Sequence, residues 1–184
     1  MLAAVCDTIA ASFKGICRAT IAMTVIRRIR IGEGDLFKRM RLASLQEAPY
    51  AFSSTYETAL LRSEESWQEQ ANLSAQGSDR ATFFVFAGDV PIGIAALYRL
   101  PDHEQTGELV QMWIAPVHRG KRAAWSLLDA VFKWASENEF RAVTARVTKG
   151  NDRAEMFYRK YGFSLEEKMP LDDFSEIILA KQVV

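Results

Sequence analysis

Short stretches of alternating apolar and polar residues run along the chain, and this period of two predicts β-strands. The runs TFFVFA and VPIGIAALYRL predict a hairpin, because the turn-forming pair Gly88 and Asp89 lies between them. The remaining predicted strands are TVIRRIRI, ELVQMWI, RAVTARV and the hairpin-like pair FSLEEKM and FSEIILAK. The segment PDHEQTG, directly before ELVQMWI, is predicted to be an acidic loop.

Apolar residues at helical spacing predict helices between these strands. After the first strand, Leu36, Met40 and Ala43 recur at that spacing, with Asp35 as a predicted N-cap and Pro49 as the end of the helix. The order is strand, helices, three strands, helix, strand, helix and two strands. It predicts a mixed α/β sheet with helices over its faces.

The later helices have clearer sequence signals at their ends. AFSSTYETALLRSEESWQEQANL predicts one or two helices, with Ser63 as a cap and Trp67 as a packing anchor. KRAAWSLLDAVFKWASEN predicts a long amphipathic helix. DRAEMFYRKY predicts a short one that begins at a cap on Asn151 and ends at Gly162.

The N-terminal segment differs from the rest of the chain. We expect residues 1–22 to form an extension and residues 23–184 to form a single domain, with Met23 as an alternative start. Both cysteines, Cys6 and Cys17, lie in the extension, so the predicted domain has none. A domain without cysteines suits a reducing cytoplasm. No apolar run reaches the roughly 18–20 residues that span a bilayer, so no membrane partner is expected.

The charge balance narrows the candidate functions. Lysine and arginine together number 23, as do aspartate and glutamate, so the net charge of the 184 residues is zero. That balance weighs against a nucleic-acid partner or a general anionic-membrane binder, whose affinity comes from an excess of basic residues. No metal site is predicted either.

The stretch PVHRGKRAAWSLLDA places cations and one glycine between a predicted strand and a helix. Free backbone N–H groups and the helix dipole at such a junction bind phosphate, and Gly120 lets the backbone approach closely. The same residues are equally compatible with a solvated helix start. The loop alone leaves both interpretations open.

Two motifs in order give the sequence a resemblance to the GNAT-type N-acetyltransferases, and it covers most of residues 23–184. The family's acetyl-CoA motif (Gln or Arg, two residues, Gly, one residue, Gly or Ala) aligns with residues 119–124. Arg119 and Ala124 fit it, but Arg122 stands where a glycine is expected. About 30 residues later, NDRAEMFYRKYGF resembles the second motif at Asn151, Ala154, Phe157, Tyr158, Gly162 and Phe163. The front segment LASLQEAPYAFSSTYE is similar to the helical region of many members.

The resemblance implies a fold and an activity. The fold would be the GNAT acyl-CoA N-acyltransferase fold, a central mixed, mostly antiparallel sheet flanked by helices. The activity would be transfer of an acetyl group from acetyl-CoA, as co-substrate, to a primary amine by direct attack in a ternary complex. A non-catalytic acyl-CoA-binding or regulatory module on the same fold is the alternative, because fold does not guarantee function.

The resemblance also implies residue roles. The backbone of Met112 and Ile114 would pair with the pantetheine arm, and the Met112 N–H would donate to the thioester carbonyl. Tyr158 would protonate the departing thiolate, although a core tyrosine looks the same in sequence. The candidate cofactor-binding residues are Met112, Trp113, Ile114, Arg119, Gly120, Lys121, Arg122, Ala123, Ala124 and Asn151. For Trp113 packing is the simpler interpretation, and Asn151 caps a helix in any fold.

Attack by the amine requires its deprotonation, and Glu108 is the candidate base. The strict alternation of ELVQMWI puts Glu108 on the same face as Val110, Met112 and Ile114. In the histone-acetylating branch of the family a glutamate holds that position. A chain of water molecules and a merely structural surface carboxylate are the alternatives.

The acceptor is expected to be a small-molecule or protein amine. Asp102, Glu104 and Glu108 would make one wall of its site acidic and suited to a cation. The strand edge in the terminal hairpin makes a homodimer possible.

Overall fold

A computed structural model describes residues 24–166 and 175–184 of the chain. The strands are β1 (Thr24–Arg28), β2 (Arg80–Ala87), β3 (Val90–Leu100), β4 (His103–Ile114), β5 (Ala142–Thr148), β6 (Ser164–Leu165) and β7 (Glu176–Gln182). The helices are α1 (Gly34–Glu47), α2 (Tyr56–Leu60), α3 (Glu64–Ala75), α4 (Ala123–Glu137) and α5 (Asp152–Tyr161), with 3₁₀ turns at Pro49–Ala51 and Pro116–His118. The predicted extension, residues 1–22, lies outside the described residues and stays a prediction.

The strands form one mixed sheet in the order β1-β2-β3-β4-β5-β7-β6. Neighbours are antiparallel except β4 and β5, which run parallel because α4 connects them as a crossover helix. The prediction of a mixed, mostly antiparallel sheet flanked by helices is therefore confirmed. In the terminal pair, β7 lies between β5 and β6, and the connection at residues 167–174 lies outside the described residues.

Two apolar cores cover the two faces of the sheet. On one face, Leu127, Leu128 and Val131 of the predicted α4 stripe are fully buried against strand residues. On the other face, α1 and α3 bury Phe37 and Trp67 in an edge-to-face pair with ring centroids 5.5 Å apart. Trp67 is thus the packing anchor that its sequence position indicated. The central sheet is held from both sides, which fixes the strands that carry the site.

The helix ends agree with the sequence signals at all but one position. The Ser63 side chain accepts from the Ser66 N–H at 3.2 Å, and Gly162 ends α5 with a left-handed φ of 101°. The prediction of Asp35 as the cap of α1 is wrong. The N-cap is Glu33, whose carboxylate instead accepts from the Arg30 N–H and the Arg27 guanidinium.

The predicted acidic loop PDHEQTG is mostly strand. β4 begins at His103, so only Pro101 and Asp102 remain as the turn between β3 and β4. Polar residues such as Glu104 and Gln105 are exposed at this end of the sheet, which explains why their sequence did not show the apolar alternation of a half-buried strand.

Candidate active site

The sheet opens between β4 and β5. Their pairing begins at Thr106 with Ala142 and ends at Leu109 with Ala145, after which β3 is the only described strand that pairs with β4. A bulge causes the change, since the register against β3 shifts between Ile94 and Ala96 and Gln111 takes a φ of 60°. The second half of β4 therefore presents an unpaired edge to the opening.

The bulge also reverses which side chains share a face. Leu109 and Ile114 pack into the same core although they are five residues apart, which strict alternation would forbid. The prediction that Glu108 shares a face with Met112 and Ile114 is therefore wrong, because one extra residue intervenes. Trp113 points into the opposite core and is buried, as its packing interpretation predicted.

Backbone groups of β4 face the opening. The Ala115 N–H donates to the Ile92 carbonyl at 2.8 Å, and bonding partners alternate along an antiparallel pair. The peptide group of Trp113 is thus turned toward β3, while the peptide groups of Met112 and Ile114 face away from β3. The Ile114 carbonyl accepts from Arg119 Nε at 2.7 Å, which leaves Met112 at the centre of the unpaired edge.

The loop that follows β4 has the features of an anion cradle. Gly120 takes a left-handed φ of 74°, and no atom lies within 4 Å of the place where a Cβ would stand. Arg122 has an ordinary helical backbone (φ −61°, ψ −5°), so the loop does not require a glycine there. It is the N-cap of α4, and no side chain caps the helix, so N–H groups of the first turn remain available to a ligand.

Arg119 pairs with a carboxylate of the protein, whereas its charge suggested a direct contact with a bound anion. Its guanidinium forms a bidentate ion pair with Glu47 at the end of α1, and Glu47 also accepts from Trp113 Nε1 at 2.9 Å. The hydrogen bonds from Arg119, and secondarily the one from Trp113, lower the pKa of Glu47 below its ordinary value. We call Glu47, Trp113 and Arg119 the α1–β4 clamp, because it ties α1 to the cradle loop.

Two cavities meet at the opening in the sheet. The first, of about 390 Å³, lies over the cradle and is lined by Gly120, Lys121, Arg122 and Ala124, with His118 and Arg153 adding cationic or basic groups. The second, of about 500 Å³, lies between β4, β5 and the α1–α2 region. Their common lining residues are Ala51, Phe52, Met112, Asn151, Ala154 and Tyr158. We refer to them as the cradle cavity and the second cavity.

Tyr158 stands at the junction of the two cavities. Its ring packs against Phe157 and Phe163, and the residue is only 7% exposed. Burial raises the pKa of the phenol well above its usual range, so the group stays protonated at neutral pH. Within the described residues its hydroxyl makes no hydrogen bond, which leaves it available to a bound molecule.

Asn151 lines both cavities and also caps α5. Its Oδ1 accepts from the Ala154 N–H at 3.2 Å, which confirms the cap. Capping fixes the side chain at the start of α5, so the amide NH₂ is the part that remains for a ligand. Asn151, Ala154 and Tyr158 thus line both cavities.

The predicted acidic wall is composed differently from the expectation. Neither Asp102 nor Glu104 lines the second cavity, whereas Glu108 does, together with Glu176 of β7. Arg146 lies between these two carboxylates, with its Nε 3.1 Å from Glu108 and its Nη1 3.9 Å from Glu176. Glu108 thus lines the second cavity, although it lies on the opposite strand face from the predicted one. The strands β4 and β5 diverge just beyond it.

Sequence reasoning did not single out several charged residues that line or support the cavities. They include Arg41, Glu47, Arg146, Arg153 and Glu176. For Arg41 a signal existed, because it lies at helical spacing among the buried residues of α1 rather than on the polar face. For the others no local pattern was available, since their relevance depends on segments distant in the chain.

Two searches of the described residues gave negative results. No helix there is long and apolar enough to cross a membrane. The same part of the chain holds no group of three or more His, Cys, Asp or Glu side chains arranged to bind a metal ion.

The model of the Acetyltransferase (GNAT) family matches residues 41–163, two thirds of the chain. The protein therefore belongs to the GNAT acetyltransferase family, whose members use acetyl-CoA or another acyl-CoA.

Solved structures agree on the fold. A GNAT acetyltransferase from Streptococcus pneumoniae superimposes with a TM-score of 0.73 at 19% identity, over 88% of this chain and 100% of that one. The PaiA N-acetyltransferase from Thermoplasma acidophilum, solved with coenzyme A, gives 0.71 at 21% identity, over 87% and 99%. A search of curated proteins found no significant match. The predicted fold and family are thus confirmed, and the individual site residues remain assignments from geometry.

Proposed function

We propose that the protein transfers the acetyl group of acetyl-CoA to a primary amine by direct attack in a ternary complex. The observation that carries this proposal is Tyr158, which lines both cavities and whose protonated hydroxyl has no hydrogen-bond partner among the described residues. Acetyl-CoA supplies an acetyl group activated as a thioester. The two cavities suit two substrates that meet at Tyr158.

The cradle cavity fits a coenzyme A diphosphate. Gly120 leaves open space beside its backbone, and α4 begins without a capping side chain. Lys121, Arg122 and Arg153 add positive charge around that point, while the charge of Arg119 is balanced by Glu47. These groups match the requirements of a phosphate site, namely free N–H donors and nearby cations.

The edge of β4 fits the arm that joins the diphosphate to the thioester. An extended chain can add to an unpaired strand edge through backbone hydrogen bonds. The Met112 N–H then lies at the junction, where it donates to the thioester oxygen as that oxygen gains negative charge. One such donor lowers an activation barrier by roughly 3 kcal/mol.

Proton transfers complete the reaction. The amine nitrogen forms a bond to the acetyl carbon as the carbon–sulfur bond breaks, and Tyr158 gives its proton to the departing sulfur. The proton that the nitrogen loses on becoming an amide restores the phenol. A phenol suits this role because it stays protonated where a thiolate, whose acid has a pKa of about 8.5, is released. Asn151 holds the arm beside Tyr158 through its free amide.

The amine must first lose a proton. At pH 7 an amine with a pKa near 10 is about one part in a thousand neutral, a penalty of roughly 4 kcal/mol. We assign Glu108 as the group that accepts this proton, directly or through water, because it lines the second cavity and Arg146 holds it in place.

Incubation with acetyl-CoA and a panel of amines, with measurement of free CoA, tests the proposal. We expect CoA release that depends on both substrates and falls in Glu108→Gln. The absence of release with every amine, together with a lack of CoA binding by calorimetry, contradicts the proposal. Tight CoA binding with CoA release only at the background rate, indifferent to Tyr158→Phe and Glu108→Gln, would instead indicate a non-catalytic acyl-CoA-binding module.

A further inference from the structure

Arg41 is a buried cation on the wall of the second cavity. It is 8% exposed and lies on the inner face of α1, in the same row as Phe37, Met40 and Ser44. Arg41 and Phe52 both line the second cavity, and the guanidinium carbon of Arg41 lies 4.5 Å from the centroid of the Phe52 ring. Burial lowers the pKa of Arg41 to about 10, so it still carries its charge at neutral pH.

Arg41 lacks a carboxylate partner among the described residues. Its one polar side-chain contact is with Ser44 Oγ at 3.4 Å, a long and weak hydrogen bond. In contrast, Arg27, Arg99 and Arg119 each pair with a carboxylate, although each of them is more exposed. No carboxylate of the described residues therefore balances the buried guanidinium of Arg41 on the wall of the second cavity.

An uncompensated buried charge costs several kcal/mol of stability unless a ligand supplies its counter-ion. The planar guanidinium donates two parallel hydrogen bonds, a geometry that matches a carboxylate. One unpaired cation balances one carboxylate, whereas a phosphate would need more positive charge. Arg41 thus favours a singly charged, planar anion in the second cavity.

The opposite charge lies elsewhere on the wall of the second cavity. Glu108 and Glu176 share Arg146, so the described groups of this cluster carry one net negative charge. Such a cluster attracts an ammonium group, while Arg41 attracts a carboxylate. The second cavity therefore has complementary charges for the two ends of a zwitterion.

We propose that the acceptor is an amine that also carries a carboxylate, namely an amino acid, bound with its carboxylate on Arg41. The inference rests on the proposed acetyl transfer, because it names the substrate class of that reaction. The carboxylate on Arg41 fixes one end of the acceptor, and the Glu108–Glu176 side receives the amine near Tyr158. The volume of about 500 Å³ is ordinary for a small-molecule site.

Matched pairs of acceptors test the proposal directly. The twenty protein amino acids and their twenty carboxamides present the same side chains and amines, and differ in the carboxylate. We expect the preferred acid to have a kcat/KM at least tenfold above that of its amide. Arg41→Gln should remove that preference by raising KM for the acid, with CoA affinity unchanged, and Arg41→Lys should restore part of it.

Arg62→Gln is the control variant. Arg62 belongs to the same helical layer, but it stacks on Trp67, bonds to Ser66 and lines neither cavity. We expect the acid-to-amide ratio of this variant to equal that of the wild type. A ratio that collapses equally in Arg41→Gln and Arg62→Gln reflects general damage to the helical layer and contradicts a specific carboxylate site.

A binding measurement separates this inference from the reaction. The same acids and amides are titrated into CoA-saturated protein by calorimetry. Tighter binding of an acid than its amide, lost in Arg41→Gln, supports the carboxylate site even if no acetyl group is transferred. If acids neither bind nor react better than their amides, the inference is overturned. A preference for phosphoethanolamine over every amino acid also overturns it.

Discussion

Tyr158 has two properties that a proton donor to a thiolate needs. Its phenol is protonated at neutral pH, a state that burial favours further by raising the pKa, and the residue is accessible because it lines both cavities. A tyrosine with only a packing role does not need to be accessible from a cavity. The sequence left these two roles open, since helical spacing places a packing tyrosine and a catalytic one at the same position.

Tyr158→Phe separates the two roles. Phenylalanine keeps the ring contacts with Phe157 and Phe163, so the fold and the CoA affinity should persist. We expect kcat to fall by roughly 10²–10³, the range of a lost general acid. Steady-state kinetics measure kcat, and calorimetry measures the CoA affinity.

Tyr161→Phe is the matched control, because the Tyr161 hydroxyl donates to Asp129 outside the cavities. The kcat of this variant should stay near the wild-type value. Equal rates for wild type and Tyr158→Phe would exclude the donor role.

Arg122 replaces a motif glycine without backbone strain. Its helical dihedrals show that the cradle does not need glycine at this point, whereas Gly120 two residues earlier is left-handed. An arginine at the helix start is compatible with these dihedrals, because ordinary φ and ψ accommodate a side chain. What the sequence did not predict was the pairing of Arg119, since Glu47 is 72 residues away.

Arg122→Gly should therefore change the Kd for CoA by less than about tenfold, or roughly 1.4 kcal/mol. Gly120→Ala should weaken binding more, because alanine at φ of 74° strains the loop. Calorimetric titration with CoA compares the two variants. A complete loss of binding in Arg122→Gly would mean that its guanidinium is a principal phosphate ligand.

At the scale of elements, the strands and helices followed from local patterns and the position of the bulge did not. The hairpin at Gly88–Asp89, the α4 stripe and the caps at Ser63 and Asn151 depend on neighbours in sequence. The bulge at Gln111 depends on the register against β3, which no local alternation encodes. That one residue reversed the predicted face of Glu108, and it lies where the sheet opens between β4 and β5.

The α1–β4 clamp joins two elements around the cradle loop. Glu47→Gln keeps the size of the side chain but removes the charge that pairs with Arg119. We expect weaker CoA binding and a loss of about 1 kcal/mol of unfolding free energy, typical of an accessible ion pair. Denaturant unfolding and calorimetry measure these effects. Glu69→Gln, at an exposed position of α3, is the control and should change neither quantity.

The effect of Glu47→Gln should depend on pH. Folding lowers the pKa of Glu47, so its contribution to stability is present above its ordinary value of about 4.5. The contribution is lost as the pH falls through the lower, folded-state pKa. The difference in melting temperature between wild type and Glu47→Gln should therefore shrink in acid. A difference that stays constant from pH 7 to pH 3 would contradict the ion-pair explanation.

At the scale of the whole molecule, the two cavities combine segments from almost the full length of the described chain. Arg41 and Glu176 face the same cavity although 135 positions separate them. The motif that resembles GNAT enzymes located the cradle and Tyr158 because those residues are close in sequence. The acceptor side has no such motif, so only the folded chain reveals its charges. A homodimer through the edge at β6 stays a prediction.

The central claim is that an acetyl group passes directly from acetyl-CoA to an amine at the junction of the two cavities. Acetyl-CoA with an isotopically labelled acetyl group, incubated with the protein and an acceptor panel, tests this claim by mass spectrometry of both the amines and the protein. We predict label on the nitrogen of an acceptor, none retained on the protein, and at least a hundredfold less labelled product with Tyr158→Phe. Label that reaches no amine while CoA binds, or that accumulates on a protein side chain as an intermediate, would contradict the account.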